Sequence, residues 1–600
     1  MSQEIDGIVD GQTMASAFRD TVRSRHDDVA LRWRRGDGWD ELTWASYAER
    51  ATRLASGLSA VGLGRGDRMV IMMRNVPEFH LLDTAAMLLG ATAISIYNSS
   101  APEQIQYLID HSEAKVAVLE DVELLGRVRK VRAELPGLES VVLLHGADEL
   151  GPDGAVPFAQ LEQSGAVDLD EAAAVAQPGD LATVIYTSGT TGPPKGVMLS
   201  HYNLRWTLES LSRCYGESIA GKRFVSYLPM AHIAERMVTH YQNIAFGTEV
   251  TCCPDLNELS VYLREVRPEV FLAVPRVWEK LYAGIQAALA GDAEKKAGFD
   301  KALEVGRSAA AARATGGSLS GELAEAWEQV DAAAFRPVRE LVGLDQVSIA
   351  ITGAAPTPPE VFDFFRAIGV PLSEIYGLSE CSGPMTWERT KVQLGTVGRA
   401  VPGCDVRILD DGEVACRGGN VFQGYLKEPE KTAEVLDDDG WLYSGDIGEL
   451  DDDGYLRIVD RKKELIITAG GKNISPANIE AALKSFPLIG QVCVIGDSRP
   501  YITALIVLDP EVAPAWARSH GVEGDLTELT SHPEVEAEVA RCVDEANRRF
   551  SQVEKVKRYR ILGEEWLPDS EELTPTMKLK RRGIHARFAE EIEELYSTPR

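Results

Sequence analysis

Helical and strand-like patterns alternate through the first 350 residues, and this alternation restricts the fold more than any other feature of the chain. Helical patterns at 44–61, 77–89 and 102–112 alternate with apolar strand-like runs at 68–73, 91–97 and 115–119. Strands separated by helices of this length form βαβ units, whose parallel strands are covered on both faces. The sequence therefore predicts an α/β fold with a large N-terminal domain of mixed, largely parallel sheets and helices.

The pattern changes after about residue 400, where strands shorten and Asp-Gly pairs multiply, at 411–412, 439–440 and 453–454. Such pairs favour antiparallel hairpins and predict a small β-subdomain. From Asp460 onward helices and strands mix again, which predicts a small α+β domain. We expect an N-terminal domain at 1–459, with an Ala- and Glu-rich helical excursion at about 286–345, and a C-terminal domain at 460–600.

The net charge restricts the partners. The chain has 92 acidic and 62 strongly basic residues, a formal charge of −30. Such a surface repels phosphate backbones, so nucleic acid is not an expected partner. Any anion site must then be a local concentration of backbone N–H groups and a few basic side chains.

Cysteine usage and the apolar runs indicate the compartment. Eight cysteines are scattered without a CxxC pair, which predicts reduced thiols and no zinc site. The N-terminus lacks the pattern of a signal peptide. The most apolar stretch, 84–97, is shorter than the about 20 residues that span a bilayer. We expect a cytoplasmic protein; peripheral contact with the inner face of the membrane stays open.

The strongest local signal is the segment 186–196, which follows the apolar run 181–186. Its glycines let the backbone curl, and its hydroxyls add donors for phosphate oxygens. Lys195 adds a positive charge, but its neighbours exclude a Walker A loop, in which Ser or Thr follows Gly-Lys. The predicted phosphate ligands are Thr187, Ser188, Gly189, Thr190, Thr191, Gly192 and Lys195.

This segment resembles the phosphate loop of the adenylate-forming superfamily, which includes acyl-CoA synthetases, peptide-synthetase adenylation domains and firefly luciferase. Four further segments match that superfamily in order, from roughly residue 20 to 590. The first contains Gly353, Ala354 and Ala355, then Tyr376, Gly377, Ser379 and Glu380. The resemblance implies that the glycine loop borders adenine and that the Tyr376 ring stacks on it. Glu380, with Thr187, would hold the Mg²⁺ that accompanies ATP, since carboxylates suit this hard cation. Ser379 stands where relatives usually have threonine.

The next two segments concern the ribose and the domain boundary. By resemblance, Asp446 accepts hydrogen bonds from the ribose hydroxyls, and Arg461 contacts ribose or phosphate. Asp460 and Lys463 would form a hinge about which a mobile C-terminal domain rotates. The residues that would line the entry of the CoA thiol are Gly470, Gly471, Lys472 and Asn473. Many relatives have a lysine at the position of Ile467, so one phosphate contact would be missing here.

The last segment, 573–578, resembles the C-terminal loop that delivers a catalytic lysine, here Lys578, which would also contact ATP. Relatives often have glycine where this chain has Met577. Two further segments, 227–236 and 274–280, look like the long-chain branch of the acyl-CoA synthetases. In that branch His232 would lie near the carboxylate of the acyl substrate. The resemblance thus assigns catalysis to Lys578, Glu380 and His232.

The function that follows is an ATP-dependent long-chain fatty acid–CoA ligase, which uses ATP, Mg²⁺ and CoA. A ligase for medium-chain or aryl acids, an adenylase that loads a carrier protein, and an inactive nucleotide-binding module remain alternatives. Preferred chain length and oligomeric state, monomer or homodimer, stay open from the sequence.

Overall fold

The computed structural model describes residues 1–146, 155–187, 193–467, 473–567, 570–574 and 577–597, with the side chains of Ile467 and Asn473 left aside. The largest sheet has seven strands, all parallel except the last pair. Their order across the sheet is Val156–Pro157, Ser140–Leu143, Ala114–Leu119, Arg68–Met72, Thr92–Ser95, Leu181–Thr187 and Lys195–Ser200. The predicted α/β fold with largely parallel sheets is confirmed.

Alternation along these strands builds two apolar layers. Met69 and Ile71 belong to one buried cluster, and Val70 and Met72 to another. Successive strand residues point to opposite faces, so a continuous apolar run is what a sheet covered on both sides requires. The apolar runs in the sequence have this origin.

Two four-stranded sheets complete the large domain, each mixing parallel pairs with one antiparallel edge pair. The first, in spatial order, contains Arg223–Ser226, Glu249–Cys252, Val29–Arg35 and Gly38–Thr43. The second contains Val270–Ala273, Ile349–Gly353, Leu372–Leu378 and Gly383–Trp387. Main helices around the three sheets are Ser2–Val9, Met14–Ser24, Trp44–Ala60, Pro77–Leu88, Pro102–Ser112, Val122–Val131, His201–Tyr215, Gln242–Phe246, Leu259–Val266 and Pro359–Ala367.

Helices also fill the Ala- and Glu-rich excursion. They are Pro275–Ala290, Ala293–Ala314, Gly321–Val330 and Arg336–Val342, with a π-helical turn at Asp331–Phe335. A second π-helical turn, Arg236–Tyr241, joins Ile233–Glu235 to Gln242–Phe246. That second turn borders the candidate site.

The Asp-Gly region forms an antiparallel sheet of Asp405–Ile408, Glu413–Arg417, Leu442–Leu450 and Leu456–Arg461. Beyond it, Ile489–Ile495, Ile502–Leu508 and Val556–Leu562 form a three-stranded sheet, and Ile466–Ile467 pairs with Asn473–Ile474. The helices of this last part are Pro476–Lys484, Val512–Ser519, Leu526–Leu529, Pro533–Asn547, Arg581–Arg587 and Ala589–Ser597. The α+β character expected of the C-terminal part is confirmed.

Polar contacts join the C-terminal part to the rest. Within the described residues, no buried apolar cluster contains residues from both before and after Arg461. Ion pairs cross instead: Lys280 Nζ lies 3.0 Å from Glu511 Oε1, and two arginine pairs are Arg276–Asp509 and Arg549–Glu360. The predicted boundary at Asp460 itself stays a prediction.

In the part of the chain that the structure describes, no helix combines the length and apolar character needed to cross a bilayer. All eight cysteines are free thiols.

Candidate active site

A cleft of about 2010 Å³ lies between the large domain and the C-terminal part. It brings together most of the predicted residues that can be described. They are Thr187, Lys195, His232, Ala354, Ala355, Tyr376, Gly377, Ser379, Glu380, Asp446, Asp460, Arg461, Lys463 and Lys578. The predicted ligands Ser188, Gly189, Thr190, Thr191, Gly192, Gly470, Gly471, Lys472 and the Asn473 side chain lie outside the described residues.

Gly353 is the one described residue of the predicted set that does not line the cleft. It ends the strand Ile349–Gly353, and a Cβ there would lie 2.8 Å from the Ile375 carbonyl oxygen. The glycine therefore permits close approach of two strands. Ala354, which follows, has φ +69° and starts the loop that does border the cleft.

Two antiparallel strands flank the predicted phosphate loop in the sequence. Thr187 and Lys195 are partners in the register of Leu181–Thr187 and Lys195–Ser200, so the loop connects the ends of a hairpin. Tyr107 donates its hydroxyl to the carbonyl of Pro194 at 3.0 Å, which fixes the last turn before Lys195. Lys195, the first residue of the second strand, borders the cleft.

Glu380 and Lys195 are joined by a residue that the sequence did not indicate. Tyr425 donates its hydroxyl to Glu380 Oε1 at 2.8 Å, and Lys195 Nζ lies 4.4 Å from the centre of its ring. Backbone pairing fixes Tyr425, because Leu426 N–H donates to the Gly196 carbonyl at 2.8 Å. A tyrosine after Gly424 is a weak signal, and the contact arises only from this long-range pairing.

Asp446 borders the cleft and contacts both Tyr376 and Arg461. Tyr376 donates its hydroxyl to Asp446 Oδ2 at 2.5 Å, and Arg461 Nε lies 3.7 Å from Oδ1. Burial raises the pKa of Asp446, although Arg461 and the Tyr376 hydroxyl oppose this rise. A carboxylate has lone pairs beyond those Tyr376 uses, so it can still accept bonds from sugar hydroxyls.

Lys578 borders the cleft from the C-terminal part, and its backbone is bonded to that of Thr574. Thr574 accepts a bond from Lys578 N–H on its hydroxyl at 3.0 Å and donates its own N–H to the Lys578 carbonyl at 2.8 Å. Met577, in the position where relatives often have glycine, has φ +64°, a conformation that glycine adopts with least strain. Met577 thus adopts a positive φ although it is not glycine.

Desolvation in the cleft, reinforced by the charge of Arg461, lowers the pKa of Lys578 to about 8. Asp446, Glu464 and Glu380 oppose this shift. The amine therefore exchanges its proton much closer to neutrality than an exposed lysine does.

His232 and Lys578 border the same cleft, and the charge of Lys578 acts on the His232 ring. Burial, with the Lys578 charge adding to it, lowers the pKa of His232 to about 3. Ala234 N–H donates to His232 Nδ1 at 3.2 Å, which puts the proton of the neutral ring on Nε2. His232 is thus a neutral ring beside a cation at physiological pH.

The predicted hinge residues lie at the end of the strand Leu456–Arg461. Asp460 accepts bonds from Ser475 Oγ at 2.6 Å and Ala477 N–H at 3.2 Å, at the start of the helix Pro476–Lys484. Lys462 donates to Asp411 at 2.6 Å and Glu413 at 2.8 Å, while Lys463 borders the cleft. The chain just before Lys463 is therefore anchored by side-chain contacts, and the hinge at Lys463 stays a prediction.

If protonated Lys578 assists acid activation, this half-reaction should decline as pH rises through about 8. The charged amine predominates below that pH and is lost above it. The alkaline limb of kcat/KM for adenylate formation, which reports the free enzyme, measures this pKa. Lys578→Arg retains its charge well above pH 8 and should move the limb upward. An unchanged limb in that variant would assign the titration to another group.

Fold and site together define an adenylate-forming enzyme, with a nucleotide cleft in a large α/β domain and a lysine supplied by a smaller C-terminal one. The chain belongs to the AMP-binding enzyme family: the profile of AMP-binding enzymes matches residues 18–426, and that of their C-terminal domain matches 463–600.

Named relatives extend this assignment over the whole chain. The long-chain-fatty-acid–CoA ligase FadD15 of Mycobacterium tuberculosis is 36% identical over 95% of this chain and 95% of its own length. A putative fatty-acid–CoA ligase of the same organism, fadD11, is 46% identical over 70% of this chain and 74% of its own. The adenylation domain of a carboxylate reductase from Mycobacterium chelonae has a TM-score of 0.78 at 21% identity, covering 99% of this chain and 93% of that one. This last likeness concerns the fold.

Proposed function

We propose that this enzyme joins a long-chain fatty acid to CoA at the expense of ATP. The fatty acid and ATP give an acyl-adenylate and pyrophosphate, and CoA then gives acyl-CoA and AMP. The observation that carries the proposal is the position of Lys578, which shares one cleft with Glu380, Asp446 and His232. FadD15, a relative similar over nearly its full length, supports the long-chain substrate.

In the first step a carboxylate oxygen of the acid attacks the α-phosphorus of ATP, and pyrophosphate leaves. Negative charge builds up on the phosphate oxygens, so the protein contributes mainly positioning and electrostatic stabilisation. Lys578 would bridge the carboxylate and the α-phosphate, and Lys195 would contact the outer phosphates. Asp446 would hold the ribose.

Glu380 suits a Mg²⁺ ion that accompanies ATP. Glu380 borders the cleft, and so does Thr187, the last residue of its strand. In the described residues no group of three or more His, Cys, Asp or Glu side chains could hold a metal by itself. Mg²⁺ commonly uses one or two carboxylates together with substrate phosphates and water, so these residues fit it. The ion would neutralise phosphate charge.

The acyl chain would occupy the apolar end of the same cleft. Beyond His232 the cleft is bordered by Leu211, Tyr215, Ile233, Met237, Val238, Leu378, Pro384 and Trp387. Burial of each methylene is favourable by about 0.8 kcal/mol, so such a surface favours long chains over acetate.

Thioester formation requires a thiol to reach the adenylate. In this structure Lys578 occupies the cleft, so it would have to move away. We propose that the C-terminal domain rotates about Lys463 and exchanges the Lys578 face for the segment 470–473, where CoA would enter. In the cell the enzyme would be cytoplasmic, as a monomer or homodimer, with peripheral contact to the inner face of the membrane when it takes up lipid.

The test is an AMP-release assay across acids of increasing chain length, with CoA present and absent. Among unsubstituted acids we expect palmitate-like chains to have the highest kcat/KM, and AMP release to depend on CoA. A higher kcat/KM for acetate or benzoate would contradict the long-chain assignment and favour a medium-chain or aryl acid ligase. AMP release with a carrier protein but not with CoA would indicate a carrier-loading adenylase.

A further inference from the structure

The apolar end of the cleft contains one buried polar group whose hydrogen-bonding capacity is incomplete. Gln242 borders the cleft and is 1% exposed, and its Nε2 has no hydrogen-bond partner. Several other buried polar atoms in the described residues also have no partner, but Gln242 alone among them belongs to a residue that borders the cleft. A buried amide that lacks a partner is costly, and a ligand that supplies one recovers this cost.

The oxygen of the Gln242 amide has a hydrogen-bond partner in Tyr215. The Tyr215 hydroxyl donates to Gln242 Oε1 at 2.8 Å, and burial raises the pKa of Tyr215, so the hydroxyl keeps its proton. Exchange of the amide oxygen and nitrogen would let Nε2 donate to Tyr215 and would leave Oε1 without a partner instead. In either orientation one polar atom of the amide remains available.

The Tyr215 side of this amide is bordered by apolar side chains. The Tyr215 ring meets Trp387 edge to face, with the ring centres 5.3 Å apart, and Trp387 directs its own N–H away, to Ser373 Oγ at 2.9 Å. Leu211, one helical turn before Tyr215, borders the cleft too. Gln242 and Tyr215 are therefore the polar pair in an otherwise apolar wall.

The helical path from His232 to Gln242 indicates how far this pair lies from the reacting carboxylate. Gln242 follows His232 by ten residues, along Ile233–Glu235 and the π-helical turn Arg236–Tyr241. Ten helical residues rise at most about 15 Å, which corresponds to the middle or distal part of a long acyl chain. Met237 and Val238 border the cleft between them.

We propose that Gln242 and Tyr215 form a polar subsite for an oxygen atom carried along the acyl chain, so that the preferred substrates are hydroxy or keto fatty acids. The inference rests on the proposed acid–CoA ligase function and specifies its substrate class. A hydroxyl can both donate and accept, so it would satisfy either orientation of the amide. A plain methylene leaves the amide buried and unpaired.

The test compares palmitate with palmitates that carry one hydroxyl or keto group at successive carbons, using the full-length enzyme with ATP, Mg²⁺ and CoA. We expect the wild-type kcat/KM to exceed that for palmitate by about 10-fold or more over a short range of positions, because a site with buried polar groups discriminates strongly against a ligand that leaves them unpaired. Gln242→Met, similar in length but apolar, should abolish this preference, so that the oxygenated chains lose their advantage over palmitate in kcat/KM.

Leu211→Met is the matched control, since it changes the same wall without removing a polar group and should leave the ratio of the two substrates unchanged. Higher wild-type kcat/KM for palmitate than for every oxygenated chain would overturn the proposal, and this measurement needs no variant. An unchanged ratio in a folded Gln242→Met enzyme, verified by its thermal transition, would do the same. If neither palmitate nor any oxygenated chain gives acyl-CoA, the ligase function itself fails, which is a distinct outcome.

Discussion

Lys578→Ala should slow acyl-adenylate formation by about 10²–10³-fold, the usual effect of removing one preorganised electrostatic contact. The Lys578 side chain lies in the cleft with Asp446 and Glu380, where its charge can stabilise the developing negative charge. The same variant should convert supplied acyl-adenylate and CoA to thioester at nearly the normal rate. Rapid-quench measurement of each half-reaction separates the two effects.

Two further variants make this experiment decisive. Lys301→Ala removes an exposed lysine of the helix Ala293–Ala314 and should leave both half-reactions unchanged. Gly471→Leu, at a position assigned to CoA entry from sequence resemblance, should spare adenylation and slow thioester formation. Equal slowing of both halves by Lys578→Ala and by Gly471→Leu would mean that one fixed arrangement performs both steps, and the rotation would be rejected.

Glu380→Ala should also lower kcat by about 10²–10³-fold, with a marked increase in the Mg²⁺ concentration needed for half-maximal rate. The carboxylate borders the cleft and is held by the Tyr425 hydroxyl at 2.8 Å. Titration of the initial rate with Mg²⁺ at saturating ATP measures both quantities. Tyr425→Phe is the matched control: it keeps the carboxylate and removes only its hydrogen bond, so a smaller decrease is expected. A Glu380→Ala enzyme with wild-type Mg²⁺ dependence would exclude Glu380 as the metal ligand.

Helical patterns that alternate with continuous apolar runs predicted the fold class, because a sheet covered on both faces must bury the side chains of successive strand residues. Met69 and Val70 lie on opposite layers for that reason, and any parallel sheet demands the same pattern. Motif resemblance similarly placed residues as distant as His232 and Lys578 in one cleft. The residues of the motifs are separated in sequence but gathered by sheet topology.

Tyr425 and Gln242 could not be predicted in this way. Tyr425 reaches Glu380 because the segment after Gly424 pairs with the strand Lys195–Ser200, which no local pattern indicates. Gln242 is polar in a helical segment, and only the structure shows that its amide is buried and incompletely bonded. Gly353 is the opposite case. Its motif predicted a residue beside the adenine, but in the structure this glycine permits close packing of two strands.

The contacts between the two parts of the chain have a consequence for the thermodynamics of rotation. Among their ion pairs, Lys280–Glu511 is exposed, with side chains 54% and 72% accessible, and exposed pairs typically contribute about 0.2–1 kcal/mol. Asp509, in the pair with Arg276, is buried. Exposure of apolar surface raises the heat capacity, whereas exposure of polar surface lowers it. Since no buried apolar cluster of the described residues spans the two parts, rotation should change the heat capacity little. The enthalpy difference between the two domain orientations would then be nearly independent of temperature.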